Sequence, residues 1–380
     1  MIYIDISAAV HSRAGLGRYA QSLAQALLKA APERWGLFYN RGRGGKVPAG
    51  FEDVPQRSIN LGYKPWRMLV YLANAAHLSF EWLVPQVELY HSTEHLLFPM
   101  RHTPTILTVH DLIFKLYPEH HKRLNYWYLS LALPLFCQRA TKIIAISEAT
   151  KRDLVEHYGI SPGKIHVIYE AADPLFMSPL PEDLARVRQK YSLPERYLLH
   201  LSTVEPRKNL DRLVDALLVL RQEYSDLNLV LVGGRGWLCD AFYRRIESEQ
   251  LSSFVRALGW VEDGDLPAVI GAASAAVQPS LYEGFGLPVL EHMACGQVVA
   301  ASSSSSHPEV GGDAAVYFDP ESVEQMVQAI RGLLNNKEER PKRRQLGFEQ
   351  AAKFSWEKAA AETMHLYDQV IGDNSSGSDA

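Results

Sequence analysis

The residues best suited to chemistry lie in one run, Pro279-Ser280-Leu281-Tyr282-Glu283-Gly284-Phe285-Gly286-Leu287-Pro288-Val289-Leu290-Glu291. The apolar segment Ala275 to Gln278 reads as a short strand leading into it. Proline suits the first turn of a helix, where its missing N–H has no intrahelical acceptor, so Pro288 predicts a helix start. The amides of Gly284 to Leu287 then gather at the positive end of that helix, an anion-binding arrangement. Glu283 and Glu291 bracket this tip, one in the loop and one about a turn into the helix. Carboxylates beside a phosphate would repel it unless they hold neutral hydroxyls on either side of it. A nucleotide sugar has that layout: ribose hydroxyls, a diphosphate, then sugar hydroxyls.

A second segment, Thr203-Val204-Glu205-Pro206-Arg207-Lys208-Asn209, follows an expected strand at Tyr197–Leu201. Two adjacent cations at a strand's carboxyl edge could neutralise a leaving diphosphate, arginine as a fork and lysine as a point charge. The same residues also read as a solvated loop with Asn209 capping the next helix. His110 and Asp111 end another apolar strand, Thr105–Val109, where a histidine is either a cleft residue or a satisfied rim histidine.

Other patterns point elsewhere and fail on context. Gly15-Leu16-Gly17-Arg18-Tyr19-Ala20 fits the G-x-G-x-x-A dinucleotide fingerprint. Eight residues, Ser7 to Ala14, separate it from the first strand, and no acidic residue closes the second strand near Asn40, which argues against NAD. His91-Ser92-Thr93-Glu94-His95 spells an inverted zinc-protease string but follows a strand, so it reads as an edge loop contacting an acceptor. Asp263-Gly264-Asp265 looks like a metal-binding D-x-D, yet Asp265 stands where a helix N-cap is expected. Gly42 to Lys46 lacks the spacing of a P-loop. No metal site and no cofactor is expected.

These segments need strands and helices in alternation to position them, and the chain supplies two such sets. Strands are expected at Ile2–Ile6, Trp35–Tyr39, Val87–Tyr90, Thr105–Val109, Lys142–Ile146 and Ile165–Ile168, with helices at Gly17–Ala31 and, opened by a Ser147 cap, up to Tyr158. A proline-punctuated stretch from Ala172 to Pro181 reads as a linker. Beyond it come strands at Tyr197–Leu201, Leu227–Val232, Val255–Leu258 and Ala275–Gln278, with helices at Leu210–Tyr224, Cys239–Gln250 and Leu266–Ala272. The fold class is therefore α/β, two doubly wound Rossmann-like parallel-sheet domains facing across a cleft. The domains are expected at 1–173 and 174–355. A charged loop at Lys337–Arg344 precedes a last helix from Trp356, and residues 373–380 form a polar, disordered tail.

Composition sets the outer bounds. A net charge of −4 gives no basic field for nucleic acid. Three scattered cysteines, Cys137, Cys239 and Cys295, allow no disulfide framework and fit a reducing cytoplasm. The amino terminus lacks the pattern of a signal peptide, and the apolar stretch Leu129–Phe136 is too short to span a bilayer. Two basic-aromatic segments, Tyr63–Arg67 with Tyr71 and His120–Arg123 with Tyr126-Trp127-Tyr128, have the mixture found at bilayer interfaces as well as on ordinary surface helices.

The strand, Gly-Phe-Gly loop, Leu-Pro and second glutamate together resemble the E-x7-E signature of retaining glycosyltransferases of the GT-B fold, family 4. Glu205-Pro206-Arg207-Lys208-Asn209 is similar to the same family's E-P-R-K-N motif, and Gly15-Leu16-Gly17-Arg18-Tyr19 to its G-[IL]-G-R-Y loop. The likeness runs from Ile2 to about Ile371 and includes Ile144–Leu154, Leu231–Trp237 and Pro308–Ala315. It implies a metal-independent, retaining hexosyltransferase in which Arg207 and Lys208 grip the donor phosphates, with Glu205 beside them. Glu283 and the Gly284-Phe285-Gly286-Leu287 loop would hold the sugar and diphosphate, and Glu291 the ribose. Gly15 and Gly17 would approach the diphosphate, His110 would lie beside the transferred sugar, and His91, Asp111 and Arg18 would lie toward the acceptor. The last helix, 356–372, would cross back onto the first domain. GDP-mannose is the first expected donor, before UDP-hexoses and dTDP-rhamnose, and the acceptor is a saccharide or a lipid-linked saccharide met at a peripheral membrane contact. A sugar phosphorylase, a sugar-nucleotide epimerase and a non-catalytic nucleotide-sugar binder are the rival classes.

Three departures stand out. Tyr169-Glu170-Ala171 replaces the family's usual proline-asparagine-glycine turn, His292 a usual alanine beside Glu291, and Gln297 a small residue. The last two are expected near the nucleotide, and none is expected to touch the catalytic residues.

Overall fold

Strands of a parallel sheet covered by helices on both faces are apolar along their length rather than alternating. The central strands of both sheets largely follow that rule. The computed structural model describes residues 1–11, 14–42 and 44–377. The chain divides into two units: Met1–Leu116 with Arg123–Glu170 and the segment from Ser355 onward, and Tyr117–Lys122 with Ala171–Phe354.

The first unit holds β1 (Ile2–Asp5), β2 (Trp35–Asn40), β3 (Gln56–Ile59), β4 (Leu89–Ser92), β5 (Thr105–Val109), β6 (Lys142–Ala145) and β7 (Ile165–Val167). They form one sheet in the order β3-β2-β1-β4-β5-β6-β7. All pairings are parallel, with Ile2 between Trp35 and Leu89. Every residue of β1, β4 and β5 is buried. The edge strand β3, Gln-Arg-Ser-Ile, carries no apolar run and was not expected. The helix expected from Gly17 begins at Ala14. Gly15 and Gly17 thus lie in its first turns rather than in a loop, and Gly17 packs against the backbone of Ala8, where a Cβ would meet the carbonyl at 3.0 Å.

The last helix, Trp356–Gly377, belongs to this unit. Its fully buried Tyr367 lies edge-on to Trp35 at 6.0 Å and bonds His91 Nδ1 at 2.6 Å. The helix takes in residues 373–377 of the expected disordered tail, and 378–380 lie outside the described residues.

The second unit holds β8 (Tyr197–Leu201), β9 (Asn228–Val232), β10 (Val255–Gly259), β11 (Ala275–Gln278), β12 (Val299–Ser302) and β13 (Val316–Phe318), ordered β10-β9-β8-β11-β12-β13 and all parallel. Helices Leu210–Leu220 and Val323–Asn335 bury Leu213, Leu217, Met326 and Ile330 against it. The expected charged loop at Lys337–Arg344 gives way to a helix at Arg340–Ala351, with Pro341 in its first turn. Each sheet reverses its winding once, between β1 and β4 and between β8 and β11. Loops leaving the carboxyl ends of such strands diverge and open a crevice within that unit.

Candidate functional site

The loops after β8 and β11 flank the reversal point of the second sheet, and they carry the residues singled out by their chemistry. Lys208 Nζ donates to Glu283 Oε1 at 2.6 Å, and Arg207 Nη1 meets Glu283 Oε2 at 2.7 Å. Arg207 Nη2 reaches Glu205 Oε1 at 2.5 Å, while Nη1 also donates to the Tyr282 carbonyl. Two cations and two carboxylates thus form a charge-balanced quartet. Burial pushes the Glu283 carboxyl up, but the charges of Arg207, Lys208 and, less, His307 outweigh it and hold it well below the usual carboxylate range. The second Glu205 oxygen, Oε2, is buried without a hydrogen-bond partner.

Backbone geometry fixes the two loops to each other. The Leu281 amide donates to the Arg207 carbonyl at 2.9 Å. Asn209 adopts the left-handed conformation (φ 58°) and spends its side-chain amide on the Pro279 and Pro320 carbonyls, at 3.0 and 2.7 Å. It makes no side-chain cap to the helix that follows, so it clamps loops rather than capping.

The helix at the loop's end spans Leu287–Ala294, with Pro288 in its first turn and Gly286 before it at φ 101°. Only glycine takes that conformation without strain, and a Cβ there would lie 2.8 Å from His307 Cδ2. Glu291 is buried one turn in from Leu287. Phe285 turns its ring onto Phe354, centroids 5.8 Å apart, and so packs rather than facing solvent.

Several residues that sequence reasoning missed brace this loop. Ser280 Oγ donates to Glu283 Oε1 at 2.6 Å. Ser305 Oγ accepts from the Glu283 amide at 2.8 Å, and Ser306 Oγ donates to the Phe285 carbonyl at 2.6 Å. The serine run 302–306 therefore buttresses this loop. His307 is buried, its pKa driven down to about 4 by burial, with Nδ1 2.8 Å from Ser302 Oγ. Asp265 also departs from expectation: it makes no side-chain cap and accepts instead from Arg186, Lys190 and Tyr191, at 2.5, 2.8 and 2.8 Å.

The first unit brings together a different set. His110 is 5% exposed and uses every polar atom. Its amide donates to His95 Nε2 at 2.8 Å, its carbonyl accepts from Thr150 Oγ1 at 3.0 Å, its Nε2 lies 2.9 Å from the Thr93 carbonyl, and its Nδ1 lies 3.3 Å from Glu170 Oε1. Burial alone would lower its pKa, but the hydrogen bond and charge of Glu170 prevail and raise it. Asp111 Oδ1 accepts from the Ile113 amide at 3.0 Å, starting the short helix Ile113–Leu116. Arg18 is half-buried in the helix Ala14–Ala30. His91, expected on the acceptor side, is fully buried in β4 with its ring bonded to Tyr367 and Thr108, at 2.6 and 2.7 Å. It presents no nitrogen to a ligand, and burial, with the charge of His110, takes its pKa down to about 3.

The three departures sort differently from expectation. His292 is fully buried, its Nε2 2.9 Å from Gln278 Nε2, and Gln297 donates to the Ile270 and Ala273 carbonyls at 3.0 and 2.8 Å. Both are core residues. Glu170, expected to touch nothing catalytic, is the one in contact with His110.

Comparison with known proteins identifies the family. A Glycosyltransferase Family 4 model matches residues 13–174, and a model for glycosyl transferases group 1 matches residues 183–350. The O-antigen chain mannosyltransferase B of Escherichia coli is 30% identical over 368 residues, 93% of this chain and 95% of that protein. The serotype-specific mannosyltransferase WbdA of Escherichia coli is 30% identical over 69% of this chain, which spans only 32% of WbdA. Among solved structures, a sucrose-phosphate synthase from Thermosynechococcus elongatus superposes with a TM-score of 0.76 at 19% identity, covering 98% of this chain and 100% of that one. Anabaena HepE, solved with UDP and glucose, gives 0.72 at 18%, covering 97% and 99%. These two likenesses are of fold, and the fold is GT-B. With two family models in tandem and a relative matched over nearly its whole length, this protein belongs to the group 1, family 4 glycosyltransferases.

Proposed function

We propose that this protein is a retaining mannosyltransferase that moves mannose from GDP-mannose to a saccharide or lipid-linked saccharide in the assembly of an O-antigen-like polysaccharide. The observation that carries the reading is the quartet Glu205–Arg207–Lys208–Glu283 beside the helix start at Leu287. The names of the mannosyltransferase relatives favour the sugar.

In the free protein Arg207 and Lys208 are neutralised by carboxylates. A donor diphosphate would take over those cations, releasing Glu283 to accept hydrogen bonds from sugar hydroxyls, while Glu291 would hold the ribose. As the C1–O bond to phosphate breaks, the electron pair passes to the phosphate oxygen. Arg207, Lys208 and the helix end stabilise the charge that grows there. The acceptor oxygen bonds to C1 on the same face, and its proton passes to the leaving phosphate oxygen. This route asks for no enzyme nucleophile. Two protein cations on the diphosphate also support a reading without a metal ion, so chelation should leave turnover unchanged.

A panel of GDP-mannose, UDP-hexoses and dTDP-rhamnose, scored for nucleotide release with and without acceptor, tests the reading. Release with GDP-mannose that rises with acceptor, and an α-linked product by NMR, is expected. A sugar phosphate product would indicate a phosphorylase, an altered donor without release an epimerase, and saturable binding without release a binder. Any of these three outcomes sinks the proposal.

A lipid-linked acceptor has its own support in the first unit. Helices Tyr63–Ala75 and Arg123–Arg139 pack together, with Arg67 donating to Asn125 at 2.8 Å and Tyr128 donating to the Arg67 carbonyl at 3.0 Å. Outward they show Met68, Leu69, Leu72, Leu124 (80% exposed), Trp127 and Leu131. Neither helix contains a carboxylate, while Lys64 and Arg123 are exposed on them. Apolar and aromatic side chains rimmed by unopposed cations suit an anionic bilayer surface. Among the described residues no helix is long and apolar enough to cross a membrane. Flotation with anionic vesicles, lost on neutral vesicles and on L124E/L131E substitution, would support a peripheral contact with an anionic membrane surface; no flotation on either removes the contact.

A further inference from the structure

The turn after β7 carries Glu170 where the resembled family has asparagine, and its carboxylate lies on His110. The directions of the bonds around that ring are fixed by their partners. A carbonyl oxygen only accepts, so Nε2, 2.9 Å from the Thr93 carbonyl, carries a proton. Nδ1 faces a buried carboxylate oxygen at 3.3 Å, and the two side chains are only 6% and 5% exposed. A bare nitrogen lone pair against a carboxylate would be repelled, so a proton belongs there as well.

The backbone of His110 is held too, by His95 on one side and Thr150 on the other. The ring therefore cannot drift from Glu170 without breaking contacts from three segments. The other titratable groups around it are Asp111 beside it, His91 on β4, His95 with ring centroids 5.8 Å away, and Tyr19, edge-on at 4.8 Å. Of these only Asp111 adds negative charge near neutrality, and the influence of Glu170 on the ring exceeds it.

We propose that Glu170 is a positioning residue that holds His110 doubly protonated, so that His110 serves transfer as a hydrogen-bond donor and never as a base. The bond that substrate can exchange is the one from Nε2 to the Thr93 carbonyl; Glu170 stays on the opposite nitrogen. A sugar or acceptor hydroxyl taking the place of that carbonyl meets an N–H. This rests on the transferase reading above and deepens it, because a donor at this point fits a route in which the leaving phosphate, not a side chain, takes the acceptor's proton. The same ring in a chain with asparagine in place of Glu170 would lack the fixed charge.

The test has two arms that fail separately. In protein labelled with [ε1-13C]histidine, the His110 signal, assigned by its loss in H110Q, is titrated in the native protein, E170Q, E170N and E170D. The expected result is a midpoint that falls by about one pH unit or more in E170Q and E170N, because burial then outweighs what the Thr93 carbonyl and Asp111 supply, and largely returns in E170D. The second arm is the pH dependence of kcat/KM for nucleotide release with acceptor. Its alkaline limb should move down with the NMR midpoint, giving about tenfold lower kcat/KM at pH 8 in E170Q and recovery on acidification. A merely structural role for Glu170 would lower activity at every pH alike.

An unmoved His110 midpoint in a folded E170Q overturns the proposal, as does a moved midpoint with an unmoved activity limb. If no donor is turned over at all, the transferase reading fails while the NMR arm still decides the charge on His110. Thermal melting of each variant guards against misfolding, with E170D as the variant that keeps the carboxylate.

Discussion

Two of the buried charge clusters, one in each unit, are built on opposite plans. The second unit's quartet comes from two loops on adjacent strands, and Glu283 alone is shared by Arg207 and Lys208. Each cation has a carboxylate partner, which the proposed donor diphosphate would replace, so the cluster is matched and, on that reading, exchangeable. The first unit's cluster is a single pair, His110 with Glu170, anchored through every polar atom of the histidine. Exchangeable pairing suits charge that arrives and leaves with a substrate. Fixed pairing suits a group whose protonation must not change during the reaction. The pH behaviour follows the same division, with a carboxyl held down in one unit and an imidazole held up in the other.

The largest effect should come from E283A, which strips Lys208 and Arg207 of their shared partner. Lys208 is buried, and an uncompensated buried charge typically costs about 3–5 kcal/mol. Urea denaturation should show a loss of that order, and the double variant K208M/E283L should recover much of it. A loss equal in single and double variants would mean that packing, not charge, holds this loop. Turnover should also collapse, so stability is the informative readout.

K208A comes next, with kcat lower by about 10²–10³ and a donor Kd changed by only a few-fold, as for a charge felt most when the diphosphate leaves. Unchanged turnover removes Lys208 from the mechanism. Equal losses in kcat and binding would mean that the quartet holds the ground state as strongly as the transition state, which erases half of the contrast between the two clusters.

How much of this the sequence disclosed depends on distance along the chain. The quartet was legible because its members lie in two contiguous segments, each following an apolar strand, so that strand period and loop chemistry placed them together. The alternating plan was legible for the same reason: β1, β5, β8 and β11 are mostly apolar and almost wholly buried. Strand β3 was not, since an edge strand has little apolar surface to bury. The helix Arg340–Ala351 was hidden by its charges, because only a narrow face around Gly347 and Gln350 is buried. Glu170 was out of reach: it meets a residue 60 positions earlier through the packing of β5, β6 and β7, which no local pattern encodes. His292 could have been read better. Adjacent helical residues point about 100° apart, so if Glu291 faces the ribose as proposed, its neighbour must be turned away from it.

The pH dependence of stability separates the clusters without any substrate. Glu283 has a depressed carboxyl, so its contribution is present above the unfolded carboxylate pKa and is lost as pH falls through the folded value. His110 has a raised imidazole, so its contribution is full below the unfolded value of 6.5 and is lost as pH rises through the folded one. Buried neutral histidines such as His200 and His307, both down to about 4, also weaken the fold on acidification, so each variant must be compared with the native protein at the same pH. E283Q should flatten the acid side of the stability curve relative to native, and E170Q the side above neutrality. If both variants flatten the same side, the division between the clusters is wrong.

The smallest functional effect is expected from H292A, which restores the residue usual in related chains, as E170N does in the first unit. His292 is fully buried, its Nδ1 has no partner, and burial with the charge of His200 takes its pKa down to about 3, so it is a neutral core side chain. Removing it deletes the contact with Gln278 and leaves a small cavity, at a cost of about 1–3 kcal/mol in stability. It faces neither the quartet nor the helix tip, so the preference for GDP- over UDP-sugars should change less than about twofold, well inside 1 kcal/mol. The two substitutions thus make a matched pair, each returning one departure to the family's usual residue. E170N should move the pH profile of transfer with a modest change in stability, and H292A should lower stability with no change in profile or donor choice. A shift in nucleotide preference on H292A would mean that the helix Leu287–Ala294 transmits core packing to the base, and that the second unit, like the first, tunes its chemistry from behind the site.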